Sequence, residues 1–319
     1  MRQRIGPTRA AVGAAGGIGL LAGVDLPSAL TRWQLELLSF LLRRGPALPG
    51  RWRLALRAIR LATEVGGLIG VRTVVTRLGF RMRVDGNSQA GRVVFATGDY
   101  EPEVADVVVA TLRPGDVFVD VGAHIGYFTM LGAQCVGPTG LVLAFEASPT
   151  TAAELAHNVG LNGFENVQVR RDALSDESGT VEFFRGPAGN TGLGSLRADA
   201  GGLAHTVPAV RLDDVLEPGR RVSLIKIDVE GAEHRVLRGA ESCLKRDRPE
   251  VVLELTDRFL RDMGSSAADL AEWMTGLGYR MFWLGWEGTT EADLPLRNGV
   301  PVPAQANVLF TTDTPRPDR

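Results

Sequence analysis

The chain has 319 residues, of which 45% are apolar and 23% charged, with two cysteines and a formal net charge of -2. This composition excludes wholesale disorder and a fibrous repeat, and two cysteines exclude a disulfide framework or a four-cysteine zinc site. The near-neutral total hides an asymmetry: residues 1–83 hold fourteen Arg, no Lys and three acids, a net +11, which leaves -13 for residues 84–319. Such a split predicts a basic arm joined to an acidic domain. Cys135 and Cys243 suit a reducing, cytosolic compartment, and the length allows one large domain or two modest ones. Lysine occurs only at Lys226 and Lys245, a bias of the kind a GC-rich genome produces.

Residues 10–24 are uncharged but include five Gly. The run is shorter than the roughly 20 apolar residues a membrane-spanning helix needs, and it lacks a small-x-small cleavage site before Asp25 and Pro27. Leu26-Pro27-Ser28 opens a helical pattern through Arg44, with Leu35, Leu38, Leu41 and Leu42 at three- and four-residue steps. Gly45-Pro46 ends it. A second helix is predicted from about Arg51 to Val65, with Arg53, Arg57 and Arg60 on its wetter face. A basic amphipathic helix can lie on an anionic membrane; it can equally pack on the main domain and show its arginines to water. Residues 80–97 read as a hairpin, with Asp85-Gly86-Asn87 as the turn between Phe80, Met82, Val84 and Val93, Val94, Phe95.

From Glu101 strands and helices alternate. Short apolar runs at 117–121, 141–146, 167–170, 222–228 and 250–255 read as buried strands. Helices fall at 103–112, 127–136, 149–162, 232–244 and 266–277, and further strands at 180–184, 207–212, 279–284 and 305–311. This alternation predicts an open, doubly wound α/β sheet. In such sheets ligands bind beyond the carboxyl ends of the strands, near the switch point. Carboxylates crowd that rim: Asp120, Glu146, Asp172, Asp228, Glu230 and Glu254. Acids often cap the helix after a strand, but so many on one rim point to a ligand.

The turn Gly122-Ala123-His124-Ile125-Gly126 lacks the middle glycine of the dinucleotide fingerprint, which argues against a pyrophosphate cradle. Glu146, 26 residues after Asp120, stands where a carboxylate can take both hydroxyls of a ribose. Asp172-Ala173 stands where an adenine edge is read. A ribose acceptor and a purine site without a pyrophosphate cradle suggest S-adenosylmethionine.

Six segments carry a resemblance: PGDVFVDVGAHIGYFT (114–129), LAFEASP (143–149), NVQVRRDALSD (166–176), RLDDVL (211–216), IKIDVEGAEHRVLRGA (225–240) and PEVVLEL (249–255). They resemble the FkbM family of S-adenosylmethionine-dependent methyltransferases over about residues 99–285. The resemblance implies a class I methyltransferase, Rossmann-like, with a mostly parallel seven-stranded sheet in a domain spanning 80–319. A basic, mainly helical extension, 1–79, precedes it and lies outside the resemblance.

The implied activity is O-methylation of a hydroxyl on a sugar, glycan or secondary metabolite. Asp120, Gly122, Ala123, Gly126, Glu146, Ala147, Asp172, Ala173 and Asp228 are then the cofactor residues. Asp228 is the expected base, with Glu230 and His124 as further catalytic candidates and His234 as another base candidate. Asp228, Glu230 and Glu254 can alternatively gather a divalent metal that acidifies the hydroxyl. The glycine-rich loop 186–196 reads as a substrate lid, with Asn190 and Ser195 as polar contacts. Trp273, Trp283 and Trp286 read as core aromatics or as the wall of an acceptor pocket. Two other functions stay open: methylation of an amine or protein side chain, and a non-catalytic adaptor held at a membrane by the basic arm. No nucleic-acid partner is expected, since the basic residues lie on the arm. The expected location is cytoplasmic or membrane-peripheral.

Overall fold

The computed structural model describes residues 26–44, 51–64, 66–184, 204–285, 288–291 and 305–312. Residues 10–24, the loop 186–196 with Asn190 and Ser195, and Trp286 lie outside them.

Three helices come first: α1 (Leu26–Arg44), α2 (Arg51–Glu64) and the single turn α3 (Gly66–Ile69). Strands β1 (Val71–Val75) and β2 (Arg81–Asp85) then pair antiparallel, joined through Gly79 at φ 94°. The hairpin is therefore one strand earlier than the sequence suggested. Residues 89–97 form helix α4 (Gln89–Thr97) rather than a returning strand. The physical reason lies at its ends. The Ser88 hydroxyl accepts the Gly91 N–H at 3.0 Å, and Gly98 closes the helix in the left-handed conformation. Ala90, Val94 and Phe95 are then buried at helical spacing.

The main domain follows as α5 (Pro102–Thr111), β3 (Val117–Val121), α6 (Tyr127–Val136), β4 (Leu141–Phe145), α7 (Pro149–Asn162) and β5 (Val167–Arg170). Next come β6 (Ala173–Leu174), β7 (Gly179–Phe184), β8 (Ala204–Val210), α8 (Leu212–Val215) and β9 (Val222–Ile227). The predicted helix 232–244 is broken in two, α9 (Glu233–Gly239) and α10 (Glu241–Asp247). At the break, a Cβ on Gly239 would stand 2.0 Å from the Ser175 carbonyl oxygen, so only glycine allows that approach. The Asp213 carboxylate then accepts the Ser242 and Cys243 N–H groups at 2.9 Å and caps α10. The chain ends with β10 (Glu250–Leu255), α11 (Asp257–Asp262), α12 (Ala267–Gly276), β11 (Arg280–Gly285), β12 (Gly288–Glu291) and β13 (Ala306–Thr311).

The central sheet has the order β12-β11-β13-β10-β9-β3-β4-β5. It has eight strands among the described residues, one more than the seven expected, because β12 pairs along the outer edge of β11. The five strands from β5 to β10 are parallel, and β13 inserts antiparallel between β10 and β11. The chain runs outward from β3 to β5 and restarts on the other side of β3 at β9. The switch point is therefore the β3/β9 crevice. β6, β8 and β7 form a separate three-stranded sheet beside it.

Strand alternation sorts the core into two layers. Phe118, Val142, Ala144, Leu224 and Val252 face α1, α2 and α4–α7, whereas Val119, Leu143, Ile225 and Leu253 face α9, α10 and α12. The N-terminal helices thus share a core with one sheet face: Leu35, Leu42, Ala58 and Ala62 are buried in the same cluster as Phe118 and Met130. A division at residue 79 falls between the paired strands β1 and β2. Among the described residues no helix is long and apolar enough to cross a membrane.

Two asparagines one helical turn apart on α7 hold the hairpin. Asn162 Oδ1 accepts the Arg81 N–H at 2.7 Å and its Nδ2 donates to the Arg81 carbonyl at 2.8 Å. Asn158 does the same with Arg83, at 2.7 and 3.2 Å, and also donates to the Ile125 carbonyl at 2.9 Å. The side-chain amides take the place of a neighbouring strand. Asn158→Ala strands these buried backbone groups and should lower unfolding stability by about 2–3 kcal/mol. Chemical denaturation measures this, and an unchanged midpoint would contradict the role given to the amide.

Candidate active site

The cleft lies at the carboxyl ends of β3, β4 and β9, with a cavity volume of about 320 Å³. Its floor is the turn from β3 into α6. Gly122 and Ala123 both donate their N–H to the Phe145 carbonyl, at 3.0 and 2.9 Å. Gly122, His124 and Gly126 take φ of 74°, 50° and 94°. The middle position therefore has the left-handed backbone that glycine adopts without cost. Here it is filled by histidine, at a strain of about 1–2 kcal/mol. A Cβ on Gly122 would fall 1.8 Å from the Asp228 carbonyl oxygen, so glycine is required for the β3 and β9 loops to meet.

Glu146 is buried at the end of β4. Its Oε1 accepts the Ser148 N–H and its Oε2 the His124 N–H, both at 2.9 Å. Burial pushes its pKa up to about 7, against the pull of those two N–H groups. The His124 ring is pushed down to about 4 by burial, so it is neutral at physiological pH. Its Nε2 is buried with no hydrogen-bond partner among the described residues, and the residue lines the cleft.

Asp228 follows β9 and is fixed twice. Its N–H donates to the Val121 carbonyl at 3.0 Å, and its Oδ2 accepts from Lys226 Nζ at 3.2 Å. The Lys226 side chain is 6% exposed, with its ammonium 5.1 Å from the centre of the Phe128 ring. Burial alone would lower the lysine pKa, but Asp228, Asp120 and Glu101 together raise it, so it stays charged. Burial also raises Glu254, and it pushes Glu101, at the start of α5, up to about 8.

The structure brings together Gly122, Ala123, His124, Gly126, Glu146, Ala147, Asp172, Ala173, Asp228, Glu230 and Glu254 around this cleft. Asp172 also pairs with Arg170 at 2.8 Å. Asp120 is not on the wall. It is fully buried beneath the floor, where its Oδ2 accepts from the Thr129 hydroxyl at 2.6 Å. His234 lies away from the cleft, bonded to Ser265 at 2.6 Å and tilted against Trp273. Trp273 and Trp283 pack on the core of the opposite sheet face. Among the described residues no group of three His, Cys, Asp or Glu side chains converges to hold a metal ion. Sequence reasoning missed Tyr100, Lys226 and Gln305, which also line the cleft. Lys226 carries a usable signal: a lysine inside an apolar strand, in a chain with only one other lysine.

The residues present fit an adenosyl sulfonium. Glu146 offers a fixed carboxylate to ribose hydroxyls, the turn carries small residues where a ligand must lie close, and the surrounding carboxylates suit a cation. Comparison with known proteins identifies the family. The family model described as "Methyltransferase FkbM domain" matches residues 120–281, half of the chain. The chain is similar to 31-O-demethyl-FK506 methyltransferase FkbM of Streptomyces tacrolimicus, at 34% identity over 177 residues, covering 46% of this chain and 67% of that one. It is similar to hexuronic acid methyltransferase AglP of Haloferax volcanii at 28% over 147 residues, covering 46% and 58%. The crystal structure of methyltransferase FkbM from Methylobacillus flagellatus KT matches with a TM-score of 0.41 at 14% identity, covering 70% of this chain and 53% of that one.

The chain belongs to the FkbM methyltransferase family. It is an S-adenosylmethionine-dependent methyltransferase with a Rossmann-like α/β fold.

The raised Glu146 pKa sets a pH dependence. Below about 7 the group is protonated and accepts a ribose hydroxyl poorly. Affinity for S-adenosylmethionine should therefore rise from pH 6 to pH 8 by roughly tenfold. In Glu146→Gln it should be weaker and flat with pH. Calorimetric titrations at the two pH values check this, and a variant that keeps the wild-type slope would assign the dependence elsewhere.

Proposed function

We propose that the protein transfers a methyl group to a hydroxyl of a sugar, glycan or secondary metabolite. The observation that carries this reading is the Asp228 carboxylate, held on the wall of the cleft that also contains Glu146. S-adenosylmethionine supplies an electrophilic methyl when bound. The names of two relatives support the reading: 31-O-demethyl-FK506 methyltransferase points to an oxygen acceptor, and hexuronic acid methyltransferase to a sugar acid.

The chain's own residues divide the work. Glu146, with Ala147, Asp172 and Ala173, holds the nucleoside. The Gly122–Gly126 turn sets its depth. Asp228 accepts the hydroxyl proton as the oxygen attacks, acting as general base. Lys226 holds that carboxylate in one rotamer, and its ammonium opposes the protonation that burial favours at Glu101, Asp120 and Glu254. His124, neutral and lining the same cleft, is a further candidate for a contact with the acceptor. Glu230 lines the wall beside them. Closely oriented donor and acceptor are the larger part of catalysis in such a displacement.

Asp228→Asn preserves shape and removes the base. With an acceptor found by screening polyols, sugars and hydroxylated metabolites with labelled donor, turnover should fall by about a hundredfold or more. Affinity for S-adenosylmethionine should change less than about tenfold. Wild-type turnover in this variant would place the base elsewhere. Faster methylation of amines than of hydroxyls would reject the hydroxyl acceptor.

A further inference from the structure

The first two helices carry two apolar faces, and the domain uses only one. On α1, Leu35, Ser39 and Leu42 are buried against α2 and α4. On the opposite side Trp33, Leu37, Phe40 and Leu41 recur at i, i+4, i+7 and i+8, a continuous stripe. These four, with Leu54 on α2, are between 44% and 60% exposed. They account for five of the eight large apolar side chains the described residues leave in water. Scattered exposed leucines are ordinary, but a contiguous stripe marks an interaction site.

Charge decides what covers it. Residues 26–64 contain seven arginines and two acids. Arg43, Arg44, Arg51 and Arg53 stand by position at the two helix ends that flank residues 45–50, and Arg57 is exposed one turn beyond Leu54. The stripe thus belongs to an arm of net +11. Two such arms repel one another, which disfavours a second copy as the occupant. An anionic surface is attracted by the arginines and receives the apolar side chains together, with a tryptophan suited to the headgroup level. We propose that the outer face of α1, with Leu54 and the flanking arginines, docks the enzyme on an anionic lipid bilayer. The catalytic domain is then held where a membrane-borne or amphiphilic acceptor is presented.

The test uses the full chain and sedimentation with vesicles of phosphatidylcholine containing about 30% phosphatidylglycerol, against pure phosphatidylcholine. The protein should bind the anionic vesicles at least about tenfold more strongly, and raising salt from 0.1 to 0.5 M should release it. Leu37→Glu/Leu41→Glu changes only exposed positions. It should keep the wild-type melting temperature and S-adenosylmethionine affinity while losing at least about tenfold in vesicle binding. Wild-type vesicle binding in this variant would overturn the proposal. So would a dimer by light scattering without vesicle binding, which would assign the face to a second copy. A lowered melting temperature in the variant without vesicle binding by the wild type would assign it to the chain's own apolar residues 10–24, and would overturn it too.

Discussion

The site depends on one close approach. The Asp228 carbonyl oxygen occupies the space where any side chain at residue 122 would begin. Because Gly122 yields that space, the turn after β3 and the loop after β9 lie against each other at the switch point of the sheet. The Asp228 N–H is then tied to the Val121 carbonyl, and its carboxylate stands on the wall of the cleft whose floor is that turn. Glu146 is thereby fixed by backbone N–H groups and Asp228 by its own backbone and the Lys226 ammonium, and in the proposed reaction these two would orient donor and acceptor.

Electrostatics follows from the same geometry. Sheet ends bring Asp120, Glu146, Asp228 and Glu254 into a small, largely buried volume, together with Glu101 from the start of α5. Desolvation, with mutual repulsion as the smaller cause, pushes Glu101, Asp120, Glu146 and Glu254 toward protonation. A single buried ammonium, Lys226, lies among them, hydrogen-bonded to Asp228, and its charge pulls Glu101, Asp120 and Glu254 back toward ionisation. Its compact charge stands 5.1 Å from the centre of the Phe128 ring. Glu146 relies instead on two backbone N–H donors, which align it without neutralising it. The free protein therefore holds it near the midpoint of its titration.

The parts that were legible in sequence were those governed by short-range pattern. Buried strands announce themselves as apolar runs at 117–121, 141–146 and 222–228, and the acids in or at the end of them mark the rim. The turn Gly122–Gly126 was correctly located, and the structure shows why its middle position tolerates histidine only with strain. Other features depend on partners far along the chain. The hairpin was misplaced because the Asp85-Gly86-Asn87 turn signal competes with the Ser88 cap, and the cap wins once Val94 and Phe95 find a core. The break at Gly239 is set by the Ser175 carbonyl, 64 residues earlier. Asp120 looked like a wall residue because it ends a strand, yet pleating turns it under the floor toward Thr129. Asn158 and Asn162 carried no signal at all, since their partners are the backbone of β2.

The claim on which the rest stands is that this acidic crevice receives an adenosyl sulfonium with its ribose on Glu146. A crystal structure of the protein with S-adenosylhomocysteine tests it most directly. The expected result is a nucleoside whose ribose hydroxyls meet the Glu146 carboxylate and whose sulfur lies over the Gly122–Gly126 turn, facing Asp228. A nucleoside seated outside the β3/β9 crevice, or one whose ribose avoids Glu146, would contradict it.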